Sequence, residues 1–317
     1  MQNHYDVIVI GGGAAGLTAG IYLSRAKVNT LILNEGAIGG QMVLTHEIAN
    51  YPGIESISGY ELARNMKSQA QKFGCTIKSN LKITELDLNS ETKKVTANNK
   101  DVYTAHAVII ATGGKSRTIG APGEDEFKGK GISYCATCDG DFFQDKEIIV
   151  VGGGNSALEE AASLTKYASK VTIVHQFDHF QAFEHYVEEA KKNPKINFIM
   201  ESKIIEFTGD EKLTGVKIQN QQTKEITGMN IDGVFIFIGY VPNTEKLEGI
   251  VKLNEWKEII VDKNLATNIP GVFAAGDSIV KRYRQVTTAV ADGTIAALSA
   301  AEFVNNIKKE LLLAHVN

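Results

Sequence analysis

Cys135 and Cys138 stand with only Ala136 and Thr137 between them, and Asp139 follows directly. A pair at this spacing can close a small ring whose bond is reduced and reformed more readily than a structural bridge. Thiol–disulfide exchange needs a thiolate that attacks and a second thiol that resolves the mixed disulfide. Two cysteines in one turn provide both, and an adjacent carboxylic acid can carry the proton. Half of a zinc site would have the same spacing, but it fails on count, since the only other cysteine is Cys75. Cys75, alone after an expected helix, reads as a small hydrophobe.

Two glycine turns flank that motif. The first, Gly11-Gly12-Gly13-Ala14-Ala15-Gly16, follows the apolar run Tyr5–Ile10 and precedes an expected helix through about Arg25. A strand over Thr30–Asn34 then ends beside Glu35, an acid about twenty residues after the turn. The glycines let a backbone approach a pyrophosphate, the helix N-terminus stabilises its charge, and Glu35 can accept from ribose hydroxyls. The second turn, Gly152-Gly153-Gly154-Asn155-Ser156-Ala157, lies between the strands Glu147–Val151 and Lys170–Val174, with a helix expected from Ala157 to about Ala168. One such turn is weak evidence; two in strand–turn–helix–strand context carry more. The second can also be a dinucleotide fold with a degenerate site. A redox-spaced cysteine pair between two dinucleotide folds implies a flavoenzyme that passes electrons to or from thiols.

The fold class expected is α/β, with two Rossmann-like dinucleotide-binding domains, the second inserted into the first. Val108–Gly113 and Gly271–Asp277 read as further strands of the first domain. That domain is expected to be discontinuous, 1–114 plus 246–317, around an inserted domain at 115–245. Leu86–Lys100 and Gln219–Thr227 read as hairpin tips or surface turns. A chain of 317 residues suits two domains, and 43% apolar with 22% charged residues is ordinary for a globular protein. A net charge of −4 without a large basic block argues against nucleic acid. No run has the length of a membrane span, and no signal peptide is read at the start. Three cysteines make no disulfide framework, so the cytoplasm is the expected location.

These motifs, with Gly39-Gly40-Gln41, Asn50-Tyr51-Pro52-Gly53, Ala111-Thr112-Gly113, Ile238–Thr244 and Arg284–Ala289, make the whole chain resemble the low-molecular-weight thioredoxin reductases. The resemblance implies FAD, a homodimer and a thioredoxin-like partner. By resemblance, Gly11, Gly13, Ala15, Gly16 and Glu35 hold the ADP side of FAD. Gly40, Gln41, Asn50, Thr112 and Gly113 surround the rest, with Gly276 and Asp277 at the ribityl–phosphate region. Gln285, Val286 and Ala289 approach the isoalloxazine. Cys135 and Cys138 match the redox disulfide, Cys138 facing the flavin and Cys135 attacking thioredoxin, and Asp139 matches the acid that protonates the leaving thiolate.

The chain departs from the family after its second-domain strand. NADPH-dependent members carry His-Arg-Arg-x-x-x-Arg, whose arginines grip the 2′-phosphate. Here the sequence is His175-Gln176-Phe177-Asp178-His179-Phe180-Gln181. At roughly 1.5–3 kcal/mol per charged hydrogen bond, three lost arginines weaken NADPH binding by orders of magnitude. Gly152, Gly154, Asn155 and Ala157 persist, but with His175, Gln176, Phe177 and Gln181 they read as a degenerate nicotinamide site that Phe177 and Phe180 could fill. NADH stays an open alternative, although the acid that would hold its ribose hydroxyls is not at the strand end and the nearest one is Asp178. The expected donor is therefore not NADPH, and ferredoxin comes first, as in the ferredoxin-dependent branch of the family. Lys281-Arg282-Tyr283-Arg284 is a candidate docking patch for an acidic donor. A dithiol oxidase using O₂ and a non-catalytic redox sensor are the remaining readings.

Overall fold

The structure is a computed structural model that describes residues 3–45 and 47–314. The chain forms two compact units, Met1–Lys115 with Val241–Asn317, and Ser116–Tyr240. The first unit opens with β1 (His4–Ile10), in which Val7, Ile8 and Val9 are wholly buried, as a strand covered on both faces requires. It continues through α1 (Ala14–Arg25) to β2 (Thr30–Leu33), parallel to β1. Next comes α2 (Gly59–Lys72), whose N-terminus is fixed by Ser58: its hydroxyl accepts from the Glu61 N–H and donates to the Glu61 carboxylate. β3 (Thr76–Lys78) adds to β2 in parallel. β4 (Ile83–Asp87), β5 (Lys93–Ala97) and β6 (Asp101–Ile110) form an antiparallel meander, and β6 also pairs in parallel with β1.

β5 corrects the reading of Leu86–Lys100 as a hairpin tip. Val95 and Ala97 have no exposure, and Lys93 shares their buried face. A lysine at the head of the apolar face hides the two-residue period that marks a strand. Its ammonium donates to the Ser90 carbonyl, which satisfies the charge-bearing group at the strand's start.

The chain leaves the first unit along β7 (Gly114–Ser116). The inserted unit contains α3 (Glu124–Phe127), β8 (Ile132–Ser133), α4 (Ala136–Asp139), β9 (Glu147–Val151), α5 (Asn155–Leu164), β10 (Lys170–Val174), α6 (Glu184–Lys192) and β11 (Ile196–Ile199). Then follow β12 (Ser202–Gly209), β13 (Leu213–Asn220), β14 (Ile226–Asn230) and β15 (Gly233–Ile236). Strands in the order β11-β10-β9-β15-β8 make a parallel sheet, and β12-β13-β14 make an antiparallel one. α5 stops short of Ala168: the Thr165 hydroxyl turns back to the Ala162 carbonyl, and Ala168 is buried from a turn. Within Gln219–Thr227 only 221–225 is a turn, with strands on either side.

β16 (Tyr240–Pro242) brings the chain back and pairs with β7. β17 (Val272–Ala274) then lies parallel to β6, and α7 (Val286–Ala314) closes the first unit. α7 packs on α1 so closely that a methyl group at Gly293 would come within 2.2 Å of the Ala15 carbonyl oxygen. The expected end of a helix at Lys308–Ala314 is the last part of α7; His315 lies outside the described residues. Among the described residues no helix is long and apolar enough to cross a membrane. The architecture is the two-unit α/β arrangement expected from the two glycine turns.

Candidate active site

In the first unit, the ends of three neighbouring parallel strands supply the site. Ile10, Ile110 and Ala274 align across β1, β6 and β17. Immediately beyond them come Gly11–Gly13, Thr112–Gly113 and Gly276–Asp277, at the carboxyl edge where open α/β sheets bind ligands. The Gly11 backbone has φ +111°, and a side chain there would strike the Ala111 carbonyl at 2.1 Å, so only glycine fits. Gly13, by contrast, faces open space: a methyl there would meet only Gly40 Cα at 3.9 Å. Gly40 opens a short 3₁₀ turn, Gly40–Leu44, that includes Gln41.

Two polar atoms at this edge have no hydrogen-bond partner among the described residues. Thr112 Oγ1 and Asp277 Oδ1 are both buried without a hydrogen bond. Burying such groups unpaired costs free energy, so a ligand that supplies partners is favoured there. Burial also pushes the Asp277 carboxyl above the usual carboxylate range, partly offset by Lys281 and Arg284. These residues fit a flavin dinucleotide: glycines open toward a pyrophosphate, and an acceptor and a hydroxyl stand unpaired beside them.

Other expected contacts in this unit hold the framework. Asn50 Nδ2 reaches Gln285 Oε1 at 3.4 Å, which joins two loops distant in sequence. Val286 begins α7 and Ala289 is buried in its first turns. Ala15 packs beneath Gly276, where a methyl group would lie 2.9 Å from its Cβ, and Gly16 packs against the Gly11 carbonyl. Glu35 Oε1 accepts from the Ile83 N–H at 2.9 Å and pairs with Lys246, so the carboxylate is already held in place. Asn34 is a residue the sequence reading missed. Its Oδ1 accepts from Gly12 N–H at 2.8 Å, and its amide binds the Gly36 and Ala37 carbonyls. An Asn at a strand end, beside a glycine turn, is the signal that would have found it.

The basic patch is corrected. Lys281 pairs with Asp292, their side chains only 12% and 16% exposed, and Arg284 pairs with Glu258. Two of the three cations are thus neutralised within the fold and offer little field to a partner.

In the inserted unit, Cys135 and Cys138 form a disulfide, with Cα atoms 5.3 Å apart. The pair lies just past the end of β8, while the second glycine turn lies past the end of β9, with β15 between the two strands. Both therefore sit at the same carboxyl edge, roughly 10 Å apart at about 4.8 Å per strand. Cys135 Sγ accepts from the Cys138 N–H at 3.2 Å, a bond that would stabilise a thiolate on Cys135. Asp139 is largely buried, and burial pushes its carboxyl up, with Ser133 pulling it down and Asp141 adding to the rise. Cys75, the third cysteine, is buried beside Ile32 and Gly20, its thiol pushed up to about 11 by burial. No cluster of three or more metal-ligating side chains occurs among the described residues.

At the second glycine turn, Gly152 has φ +137° and a side chain would meet the Phe237 carbonyl at 2.4 Å. The loop after β10 folds back onto this turn. The Gln181 N–H donates to the Gly153 carbonyl at 2.8 Å, and the Phe183 N–H donates to Asn155 Oδ1 at 2.8 Å. The His175 ring packs against Gly153 so tightly that a methyl there would be 2.4 Å away. Burial lowers the His175 pKa, so this imidazole is neutral near pH 7. Phe180, half-buried, stacks on His175, meets Phe198 edge-on and packs against the core of this unit. Phe177 and Gln176 are exposed, and Asp178 pairs with His179 at 2.6 Å in solvent. Ala157 is buried against Gly152.

Two dinucleotide folds, one carrying a closed disulfide two residues wide, define a flavin disulfide oxidoreductase. Residues 5–293 match the family model of pyridine nucleotide-disulphide oxidoreductases. A thioredoxin reductase of Peptoclostridium acidaminophilum is 46% identical over 311 residues, covering 96% of this chain and 98% of the relative. A 34.2 kDa protein in a rubredoxin operon of Clostridium pasteurianum is 44% identical over 303 residues, with 96% and 98% covered. The crystal structure of thioredoxin reductase from Streptococcus pyogenes superposes with a TM-score of 0.93 at 40% identity, covering 96% of this chain and 100% of that one. The chain belongs to the pyridine nucleotide-disulphide oxidoreductases and, within them, to the FAD-dependent thioredoxin reductases of low molecular weight.

Proposed function

We propose that this flavoenzyme reduces a thioredoxin-type disulfide through Cys135 and Cys138, with electrons from a donor other than NADPH. The observation that carries the thiol chemistry is the Cys135–Cys138 disulfide with buried Asp139 beside it. Bound FAD would supply the electron exchange between the donor and the Cys135–Cys138 disulfide. Gly11, Gly13, Gly16, Glu35, Thr112 and Asp277 are the residues proposed to hold it.

Once the disulfide is reduced, the Cys135 thiolate attacks the partner's disulfide. A Cys135–partner S–S bond forms, the partner's own S–S bond breaks, and Asp139 gives its proton to the departing thiolate. The Asp139 carboxylate then takes the Cys138 thiol proton. The Cys138 thiolate attacks Cys135 Sγ, the Cys135–partner S–S bond breaks as the Cys135–Cys138 bond reforms, and the second partner thiolate so released is protonated by solvent. The hydrogen bond from the Cys138 N–H to Cys135 Sγ favours Cys135 as the attacking sulfur.

The donor reading rests on residues 175–183, which hold no lysine or arginine. The imidazole beside the glycine turn is neutral and Asp178 keeps a carboxylate nearby in sequence, so a 2′-phosphate finds no cation there. A small iron–sulfur protein of the ferredoxin type is the donor proposed. NADH or NADPH is the second reading, favoured by the intact Gly152–Gly154 turn. The test is anaerobic flavin absorbance of the holoenzyme mixed separately with NADPH, NADH and reduced ferredoxin. Rapid bleaching by ferredoxin alone supports the proposal; rapid bleaching by micromolar NADPH overturns it. Homodimer formation and a cytoplasmic location are also proposed, and sedimentation velocity checks the dimer.

A further inference from the structure

We propose that Ser133 is a positioning residue whose hydroxyl couples the protonation state of Asp139 to the backbone of Cys135; the inference rests on the thiol-exchange reading above. Ser133 is 5% exposed at the end of β8, fixed by its pairing with Phe235 of β15. Three groups converge on its one hydroxyl. Its Oγ lies 2.5 Å from Asp139 Oδ2, accepts from the Cys135 N–H at 3.1 Å, and lies 3.3 Å from the Cys135 carbonyl oxygen. A serine has one proton to donate and two lone pairs to accept with, so it cannot donate to both oxygens at once.

That arithmetic gives two arrangements. With Asp139 ionised, the hydroxyl donates to Oδ2. With Asp139 protonated, the carboxyl O–H donates to Oγ and the hydroxyl proton turns to the Cys135 carbonyl. In each arrangement the Cys135 N–H keeps its acceptor and no buried proton lacks a partner. During one exchange cycle Asp139 passes from acid to carboxylate when the first thiolate leaves, and back to acid when the Cys138 thiol is deprotonated. Ser133 lets this happen without an unsatisfied group in either half of the cycle, and in both it ties the carboxyl to the residue that bears the attacking sulfur. The charge acting on Asp139 within its own segment is Asp141, and α5, packed against α4, carries Glu159 and Glu160. Ser133 is the group that favours the ionised form against burial and that repulsion.

The test is single-turnover exchange. Holoenzyme reduced with one equivalent of dithionite is mixed with an oxidised thioredoxin from pH 5.5 to 9, and thioredoxin fluorescence is followed. Ser133→Ala is expected to slow exchange about tenfold, the weight of one buried hydrogen bond to a charged group. It should also move the alkaline limb of the profile to higher pH. Ser133→Thr should restore both. Ser133→Gly, which removes the hydroxyl without adding bulk, serves if the alanine variant does not fold. A slower rate with an unmoved limb, or no change at all, overturns the proposal. Asp139→Asn separates the two levels: if the alkaline limb persists in that variant, the assignment of Asp139 as the acid fails, whatever Ser133 does.

Discussion

The two glycine turns are built on the same backbone and offer different chemistry. Each follows a buried parallel strand, enters a helix, and begins with a glycine at positive φ that no other residue could replace. Around the first, Thr112 and Asp277 present buried polar atoms that find no partner among the described residues. Around the second, the neighbouring loop satisfies its own groups: Gln181 and Phe183 bond back to the turn, and a neutral His175 packs on Gly153. The glycine pattern therefore specifies a strand–turn–helix and little about what binds there. The residues arriving from other strands decide whether a ligand is required.

The comparison can be broken at several points. The largest effect concerns the disulfide that lies beside the second turn. Cys138→Ser is expected to abolish thioredoxin turnover, by roughly 10³-fold or more, as when one member of a reacting unit is removed. Flavin content, proposed to depend on the first turn, should stay intact; turnover that survives the change defeats the proposed electron route. Next, Asp277→Ala should weaken FAD retention roughly ten- to a hundredfold, as for the loss of a hydrogen bond involving a charged group. Flavin released on gel filtration measures it. Undiminished FAD binding would mean that the orphaned oxygen marks no ligand.

A third change tries to make the second turn more useful. Gln176→Arg, Phe177→Arg and Gln181→Arg together place cations where the family's NADPH-dependent members have them. Each contact made is expected to tighten NADPH binding about tenfold, read by titration calorimetry. No gain would show that the folded-back loop, rather than the missing charge, excludes the nucleotide.

The smallest effect is a pH dependence. Burial lowers the folded-state pKa of His175 below 6.5, so the unfolded chain binds the extra proton more readily. The stability this residue contributes is therefore complete above pH 6.5 and lost as pH falls through the folded value. Corrected for the intrinsic pH dependence of amide exchange, protection at the Gln181 N–H should fall on acidification over that window while that of the Gly12 N–H, held by Asn34, does not follow. Equal behaviour at both sites would erase the distinction drawn here.

Much of this was legible in the sequence because glycine, cysteine and buried apolar runs act locally. The strands before both turns, the α/β class and the closing of Cys135 with Cys138 follow from residues near one another in the chain. β5 was missed because Lys93 heads its buried face. The run 165–168 looked helical because Ala168 is apolar, and burial does not distinguish a helix from a turn packed against one. The Lys281–Arg284 patch failed for another reason: its partners Asp292 and Glu258 come from elsewhere in the chain, and no local pattern reveals a neutralised charge. Lys246 belongs to the same class, since its partner Glu35 comes from a distant part of the chain; Ser133, whose partners Cys135 and Asp139 lie within six residues, was missed because a serine at a strand end carries no pattern of its own.

The discontinuity of the first unit has a consequence for how the protein is made. Synthesis delivers β1 to β6 first, then all of the inserted unit, and only afterwards β17 and α7. The inserted unit is one uninterrupted stretch and can fold while the chain is still growing. The first unit cannot. Its β6 must wait for β17, α1 must wait for α7, and Asp6 must wait for Lys308. Asp277 follows the whole inserted unit in the chain, so this carboxyl edge of the first unit is completed only after the cysteine-bearing unit has had time to settle.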